Sequence, residues 1–271
     1  MQNIIITGCS SGIGLECAKY LKSKGLKVYP TARDAQDVSI LKSLGFEDAL
    51  RLDVTNYDEI KEVIDYVLNK DGKIDVWFNN AGYGQAGAIE DLDTKYLKEQ
   101  FETNVFGLYE ATKELIPIMR RQKHGIIIQH SSVLGLVSLI GRGAYNASKY
   151  AIEGLSDTLR LELEGSGVYV SVLNTGPVTS EFRKTAMSKL QANVDIQNSI
   201  FKERYLQNIN AKKSKVPFNL PAIEVAKVVY KITQTKHPKP RYYITKATYI
   251  LGFLKRILPT KMLDRVLYKI S

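Results

Sequence analysis

The chain has 271 residues, of which 44% are hydrophobic and 24% are charged, as in an ordinary globular protein. This composition excludes a disordered or membrane-spanning chain, and the length suits one large α/β domain.

The two cysteines, Cys9 and Cys17, are too few for a disulfide framework and lack metal-ligand spacing, so we expect reduced thiols and no metal site. The first apolar run, at Ile4, is followed at once by Thr7-Gly8, which predicts no secretion signal and a cytoplasmic location.

The positive charge is concentrated in the last third of the chain. The net charge is +10, yet residues 1–180 carry 19 basic and 23 acidic side chains, whereas residues 181–271 carry 19 basic and five acidic ones. Such asymmetry indicates that the last third faces an anionic surface, either a membrane or a nucleic acid, although solvated helix faces also produce charge runs. No nucleic-acid-binding motif accompanies the basic region, so we expect no nucleic-acid partner.

Short β-branched runs alternate with helical patterns over the first 175 residues, which is typical of a parallel sheet. The predicted strands are Asn3–Thr7, Lys27–Thr31, Ala49–Asp53, Val76–Asn79, Gly125–Ser131, Val168–Asn174 and Arg241–Thr245. The predicted helices are Leu15–Lys24, Asp58–Leu68, Lys95–Arg120, Tyr145–Glu164 and Ile223–Gln234. Pro30 lies inside the second predicted strand, so we expect a strand end or a bulge there. The fold class is therefore α/β, a single doubly wound Rossmann-type parallel sheet with helices on both faces.

A glycine-rich segment, Thr7–Gly14, lies between the first predicted strand and the first predicted helix. Glycines permit a tight turn and a close approach of backbone to a pyrophosphate, and a helix N-terminus offers free N–H groups. This context predicts a dinucleotide-binding loop, and a tight turn without a ligand is the alternative. The residues of the predicted loop are Gly8, Ser10, Ser11, Gly12, Ile13 and Gly14.

The end of the second strand decides which dinucleotide is favoured. An acid there accepts from a ribose hydroxyl, whereas an arginine pairs with the 2′-phosphate of NADP. Ala32 occupies the position where the discriminating acid is expected, and Arg33 follows with a planar guanidinium that suits a phosphate. Asp34 keeps NAD open as the alternative, because the general fingerprint expects an acid at about this distance from the glycine loop. We predict NADP.

Tyr145 and Lys149 are four residues apart on a predicted helix and therefore share one face. An ammonium near a phenol favours the phenolate and lowers the phenol pKa from about 10 toward ambient pH, which suits a general acid for a carbonyl oxygen. Taken alone, this spacing indicates no more than the surface of an amphipathic helix.

Three short motifs together resemble those of the short-chain dehydrogenase/reductase family. Thr7–Gly14 matches the family's T-G-x-x-x-G-x-G, Asn79–Gly82 matches its N-N-A-G, and Tyr145–Lys149 matches its Y-x-x-x-K. Each motif is short, but their order and spacing are specific, and the resemblance covers nearly the whole chain.

The resemblance implies a catalytic set of Asn104, Ser132, Tyr145 and Lys149. Ser132 lies thirteen residues before Tyr145, where the family keeps its catalytic serine, and Asn104 matches the family's helix asparagine. On this basis Tyr145 exchanges a proton with the substrate oxygen, and Ser132 hydrogen-bonds that oxygen. Lys149 lowers the tyrosine pKa and holds the nicotinamide ribose, and Asn104 positions a water that relays protons from Lys149 to solvent.

The resemblance also implies further cofactor contacts. Asp53 accepts from the adenine amino group and Val54 flanks the ring, while Asn80 and Ala81 line the adenosine ribose, with bracing of the central strands as a second interpretation of Asn80. The turn at Pro177 packs by the nicotinamide. The complete predicted cofactor set is Gly8, Ser10, Ser11, Gly12, Ile13, Gly14, Arg33, Asp53, Val54, Asn80, Ala81, Gly82, Tyr145, Lys149, Pro177 and Val178.

The predicted activity is NADP-dependent hydride transfer between nicotinamide and a carbonyl/alcohol pair. Gly141–Tyr145 and Leu254–Pro259 look like bacterial NADP-dependent aldehyde reductases of the retinol and hydroxysteroid dehydrogenase-like branch, which implies reduction of lipophilic aldehydes or ketones. One alternative is an NAD-dependent alcohol, hydroxysteroid or retinol dehydrogenase working toward oxidation. Another is a non-catalytic NADP-binding sensor, although such a protein would lose Tyr145 or Lys149.

We expect one domain over residues 1–271, with a cofactor-binding and catalytic core at 1–180 and a substrate-shaping region with a basic amphipathic tail at 181–271. The family resemblance implies a homo-oligomer, a dimer or a tetramer. The tail Tyr249–Leu258 combines apolar residues with Lys255 and Arg256. Packing of these apolar residues on the subunit is the preferred interpretation, and peripheral membrane contact through residues 248–271 is the alternative.

Overall fold

The computed structural model describes residues 1–210 and 217–271. Within these residues a seven-stranded sheet has the order β3-β2-β1-β4-β5-β6-β9, and every neighbouring pair is parallel. Its strands are β1 (Asn3–Ile6), β2 (Lys27–Ala32), β3 (Leu50–Arg51), β4 (Val76–Asn79), β5 (Gly125–Ser132), β6 (Val168–Thr175) and β9 (Arg241–Tyr243). A separate pair joins β7 (Val178–Thr179) to β8 (Leu220–Pro221). The strand order reverses between β1 and β4, which confirms the predicted doubly wound Rossmann-type sheet.

Helices cover both faces of the sheet. They are α1 (Gly12–Ser23), α2 (Ala35–Ser43), α3 (Tyr57–Asp71), α4 (Thr94–Phe101), α5 (Gly107–Gln122), α6 (Gly143–Glu162), α7 (Phe182–Asn193), α8 (Lys202–Asn210), α9 (Ala222–Thr233), α10 (Lys246–Ile257) and α11 (Thr260–Ile270). No described helix is long and apolar enough to cross a membrane.

The side chains of β1 show why both faces are covered. Ile4 and Ile6 join one buried cluster that includes α1 and α9, while Ile5 joins the opposite cluster with Trp77 and the inner faces of α3 and α5. Successive strand residues point to opposite faces, so a strand that is apolar at every position needs a helical layer on each side.

Pro30 lies within an unbroken strand, so the expected strand end or bulge is wrong. Pro30 is in register with Ile6, and β2 continues to Ala32. The Ala32 carbonyl accepts from the Leu52 N–H on the β3 side. Backbone groups two residues apart in a strand face the same neighbour, so Pro30 also faces β3. Pairing with β3 begins only at Thr31, and the missing N–H therefore costs no ladder hydrogen bond.

The long helix predicted at Lys95–Arg120 is divided. A π-helical turn at Glu102–Phe106 separates α4 from α5, and Asn104 lies inside this turn. Single π-helical turns occur frequently at functional sites because they displace side chains from regular helical positions. The helical pattern of the sequence could not distinguish this turn from a continuous helix.

The carboxyl-terminal helices pack against the region around Tyr145. A buried cluster joins the 3₁₀ turn Val133–Gly135 to α10 and α11. Its members are Val133, Leu134, Val137, Tyr145, Leu263 and Leu267, with Leu139, Leu251, Leu254 and Leu258 packed against them. Part of the apolar tail thus packs on the subunit, as the preferred interpretation expects. Another part, Ile250, Phe253 and Ile257, is exposed.

Candidate active site

Every residue of the predicted cofactor set lines one cleft of about 1570 Å³. The cleft also contains Ser132, Tyr145 and Lys149 of the predicted catalytic set, whereas the fourth member, Asn104, is buried behind the loop at Tyr83. Most of these residues follow the carboxyl ends of parallel strands, where open α/β sheets bind their ligands.

The glycine loop is held close to the end of β4. Gly8 has a φ of +71°, and a Cβ there would lie 2.8 Å from the Ala81 Cα. A Cβ on Gly14 would lie 2.2 Å from the Gly8 carbonyl oxygen. Ser11 precedes α1 without capping it through its side chain, so the first N–H groups of α1 face the cleft without a side-chain cap. This cradle fits the pyrophosphate of a dinucleotide.

At the adenosine end, Asp53 is positioned by contacts that the sequence did not reveal. The Asp53 N–H donates to the buried Glu59 carboxylate at 2.7 Å, and Asp53 Oδ1 accepts from both the N–H and the hydroxyl of Thr55. Arg33 is exposed over 66% of its side chain, and its guanidinium lies 3.6 Å from the Asp34 carboxylate. The geometry leaves the Arg33 guanidinium accessible to an anion from the cleft.

Asn80 braces the central strands, in agreement with the second of its two interpretations. Its Nδ2 donates to the carbonyl oxygens of Thr7 and Gly8, at 2.8 and 3.0 Å. Its Oδ1 lies 3.0 Å from Nδ1 of His130, and Nε2 of that ring lies 3.1 Å from the Thr175 hydroxyl. Burial lowers the His130 pKa to about 3, so the ring stays neutral and its role is structural.

Tyr145 and Ser132 form the polar centre of the cleft. Ser132 Oγ accepts the Leu134 N–H at 3.1 Å, which leaves its hydroxyl proton available for donation. Burial raises the Tyr145 pKa to about 12, while a hydrogen bond with Ser132 and the charge of Arg142 act in the opposite direction. The net shift is therefore upward, opposite to the predicted lowering toward ambient pH, because burial dominates. Tyr145 is protonated at neutral pH and able to act as a proton donor.

Lys149 lies beneath the tyrosine ring. Its Nζ is 5.5 Å from the Tyr145 ring centroid and donates to the His130 carbonyl oxygen at 2.6 Å. Burial lowers the Lys149 pKa from 10.5 to about 8, and the charge of Glu153 acts in the opposite direction. The lysine therefore exchanges its proton much closer to neutral pH than an exposed lysine does.

Asn104 uses its whole side chain to hold the neighbouring loop. Its Oδ1 accepts the Tyr83 N–H at 3.1 Å, and its Nδ2 donates to the Tyr83 carbonyl oxygen and to Ser148 Oγ. The side chain thus positions Tyr83 and the start of α6, and its hydrogen-bonding groups are already engaged.

The opposite wall of the cleft contains residues that the sequence interpretation missed. Phe182, at the start of α7, packs on Tyr145 with ring centroids 5.2 Å apart. Arg142, Arg183, Lys189 and Phe218 also line the cleft. Arg142 is three residues before Tyr145, so helical spacing could have placed it beside the tyrosine, whereas the contribution of α7 depends on tertiary packing.

Comparison with known proteins identifies the class that this fold and site define. The family model for short chain dehydrogenase matches residues 2–191. The chain belongs to the short-chain dehydrogenase/reductase family and is an oxidoreductase of that type.

Individual relatives agree with this membership. An uncharacterized oxidoreductase of Escherichia coli, YbbO, is 36% identical over 267 residues, which cover 98% of this chain and 94% of that protein. The NADPH-dependent 3-dehydrocapnine reductase of Ornithobacterium rhinotracheale is 31% identical over 279 residues, which cover 99% of this chain and 97% of that protein. The crystal structure of a Streptomyces avermitilis short-chain dehydrogenase has a TM-score of 0.79 and 27% identity, and the match covers 98% of this chain and 93% of that one.

The lowered pKa of Lys149 predicts a pH-dependent effect on stability. Below about pH 8 the folded protein holds a buried ammonium, whereas between about 8 and 10.5 the lysine is neutral when folded and charged when unfolded. The contribution of Lys149 to the free energy of unfolding therefore becomes more favourable as pH rises through this window. We expect Lys149→Met to remove that rise, as measured by denaturant unfolding without cofactor. The exposed control Lys231→Met should retain it, and equal pH profiles for Lys149→Met and wild type would contradict the assignment.

Proposed function

We propose that this enzyme uses NADPH to reduce lipophilic aldehydes or ketones, with Tyr145 as the proton donor. The observation that carries the proposal is the convergence of Ser132, Tyr145 and Lys149 in the cleft that also contains the glycine loop and Arg33. A non-catalytic NADP-binding protein needs no protonated tyrosine beside a free serine hydroxyl. This convergence therefore supports catalysis.

The choice of NADPH rests on Arg33. Its exposed guanidinium follows β2, where the 2′-phosphate of the adenosine ribose would lie, and Ala32 provides no competing carboxylate. The relative from Ornithobacterium is named as NADPH-dependent. Asp34 favours the second candidate, NAD-dependent oxidation of an alcohol, because its carboxylate can accept from a ribose hydroxyl.

The residues of the cleft suit reduction. When bound, NADPH supplies the hydride. The Tyr145 hydroxyl donates its proton to the substrate oxygen, and the Ser132 hydroxyl donates a hydrogen bond that stabilises the charge developing there. Lys149 holds the nicotinamide ribose and returns a proton to the tyrosine. Asn104 keeps the Tyr83 loop in place, and a water-mediated proton relay would run past it rather than through its engaged side chain.

The walls of the substrate half support a lipophilic carbonyl compound. Leu134, Leu139, Phe182 and Phe218 line this part of the cleft. Two of these residues, Phe182 and Phe218, come after residue 180, which supports the division into a core at 1–180 and a substrate-shaping region at 181–271. Apolar walls bind hydrocarbon by removing its surface from water.

Replacement of the tyrosine tests the catalytic assignment. Tyr145→Phe removes the proton donor and retains the ring, so we expect kcat to fall about 10²- to 10⁴-fold. NADPH consumption should be measured against short and long aldehydes, ketones, retinal and steroids. Tyr150→Phe, on the same helix, is the matched control. Full turnover by Tyr145→Phe would exclude the proposed mechanism.

Replacement of Arg33 tests the cofactor assignment. Arg33→Ala removes a charged hydrogen-bond donor to the 2′-phosphate, so we expect KM for NADPH to rise about 10- to 100-fold and KM for NADH to change little. Lys42→Ala, on the exposed face of α2, controls for a change in net charge. A wild-type preference for NADH would instead establish the NAD-dependent alternative.

We also propose that the outer face of α10 and α11 contacts an anionic membrane from which lipophilic substrate arrives. Tyr249, Phe253 and Tyr268 are each at least 60% exposed. The two helices also carry Lys246, Lys255, Arg256, Lys261, Arg265 and Lys269, with Asp264 as the one acid. Apolar burial combined with attraction to anionic lipids is how amphipathic basic helices bind membranes.

Substitutions on the exposed face provide a cleaner test than truncation, because Leu263 and Leu267 belong to the buried cluster. We expect wild type to co-sediment with vesicles containing phosphatidylserine, and the double variant Tyr249→Ser with Phe253→Ser to lose most of this binding while keeping its thermal stability. Ile89→Ser, which removes an exposed apolar residue outside α10 and α11, is the control. Absence of lipid-dependent pelleting for wild type would exclude the membrane contact.

The family relationship further supports a homo-oligomer, which we propose as the assembled form. The mass in solution, measured by light scattering, tests this assembly.

A further inference from the structure

Arg142 is a partly buried cation on the wall of the catalytic cleft. It immediately precedes α6, and its position is fixed by a backbone bridge to Gly87 and by the Gly87 N–H donating to the Gly141 carbonyl oxygen. The guanidinium lines the same cleft as Tyr145, which follows it by three residues, and its charge favours the ionised form of that tyrosine. An arginine in this position is built into the site rather than extended into solvent.

Arg142 has no carboxylate partner among the residues that the structure describes. Within residues 1–210 and 217–271, no ion pair or side-chain hydrogen bond involves its guanidinium. The six remaining residues, 211–216, read Ala-Lys-Lys-Ser-Lys-Val and contain no acid. An arginine that loses part of its hydration is ordinarily paired with an acid, because the lost hydration is otherwise uncompensated.

The nearest charges increase this imbalance. Arg183 of α7 is the charged neighbour that disfavours the protonated form of Arg142, and burial acts in the same direction to lower the Arg142 pKa. Lys189 lines the same wall, with its Nζ 5.1 Å from the Tyr83 ring centroid. Glu181, which immediately precedes α7, lies 3.5 Å from Lys184. Arg142, Arg183 and Lys189 thus bring three cations to the cleft beside an uncharged tyrosine, and Glu99 and Glu102 line the same cleft on the side of Tyr83.

We propose that Arg142 binds an anionic group of the substrate, so that the enzyme acts on carbonyl compounds that carry a carboxylate, phosphate or sulfonate near the reacting carbonyl. Arg183 adds attraction for the same group. This inference rests on the proposed reduction of carbonyl compounds and narrows its substrate class. The apolar neighbours Leu139 and Phe182 fit the hydrocarbon part of such a substrate, which makes it amphiphilic.

The diphosphate of the cofactor is the other source of an anion in this cleft. The glycine loop and the N-terminus of α1 already form a cradle for that group. Arg142 instead immediately precedes α6, the helix of Tyr145, and lines the cleft together with that tyrosine and Ser132. The position favours the substrate, and kinetic constants for the two reactants distinguish the sources.

The test compares oxo acids with their uncharged esters. ω-Oxo fatty acids and 2-oxo fatty acids of graded chain length, each paired with its methyl ester, are reduced with saturating NADPH, and kcat/KM is measured for each. We expect wild type to prefer at least one acid over its ester by about 10- to 100-fold, the range of a charged hydrogen bond. Arg142→Gln should bring this ratio close to one, and Arg142→Lys should restore part of it. Lys231→Gln, at an exposed position of α9 outside the cleft, should leave the ratio unchanged.

A binding measurement completes the test independently of turnover. The preferred oxo acid should raise the thermal unfolding temperature of wild type and fail to do so for Arg142→Gln, provided that this variant unfolds cooperatively. Equal preference for acids and esters in wild type, or a ratio that Arg142→Gln does not change, would overturn the anion site. A raised KM for NADPH with an unchanged ratio would assign Arg142 to the cofactor. Failure of wild type to reduce any carbonyl compound would instead reject the proposed function, and the thermal measurement, made with each oxo acid of the series in turn, would then decide on the anion site alone.

Discussion

The amide of Asn80 connects the parts of the molecule on which the rest of the site depends. It bonds the carbonyl oxygens of Thr7 and Gly8 on one side and the ring of His130 on the other, and that ring reaches Thr175. The ends of β1, β4, β5 and β6 are thereby held in one arrangement. Because the His130 carbonyl oxygen also accepts from Lys149, the same network joins the cofactor loop to the catalytic lysine. Buried networks of this kind specify geometry when their members are satisfied.

The sequence predicted the sheet and most of the site because both leave local signatures. A parallel strand with helices on both faces of the sheet is apolar at every position. A glycine-rich loop between a strand and a helix is typical of dinucleotide binding. Features that depend on tertiary contacts were missed. Helix α2 has a weak apolar pattern with a single buried residue, Leu41, and the π-helical turn around Asn104 has no distinct sequence pattern. The sign of the Tyr145 pKa shift also required the structure, because the helices that bury this residue come from distant parts of the chain.

The site concentrates groups that a purely structural core would avoid. Tyr145 and Lys149 are buried and Arg142 is partly buried within a few residues of one another, and burial shifts the pKa of each so that its neutral form is favoured. Such an arrangement opposes folding, since the protein must desolvate charges without full compensation. Functional sites are where local rules of stability are broken, and the apolar layers on both sides of the sheet supply the stability that tolerates this cost.

The packing of α11 against the tyrosine cluster has a consequence for the order in which the enzyme is made. Leu263 and Leu267 lie in the last helix of the chain, yet they share a cluster with Tyr145. Domains generally fold as units during synthesis. The burial of the proton donor therefore depends on a segment made more than a hundred residues after it, and it is complete only once α11 has emerged from the ribosome and packed.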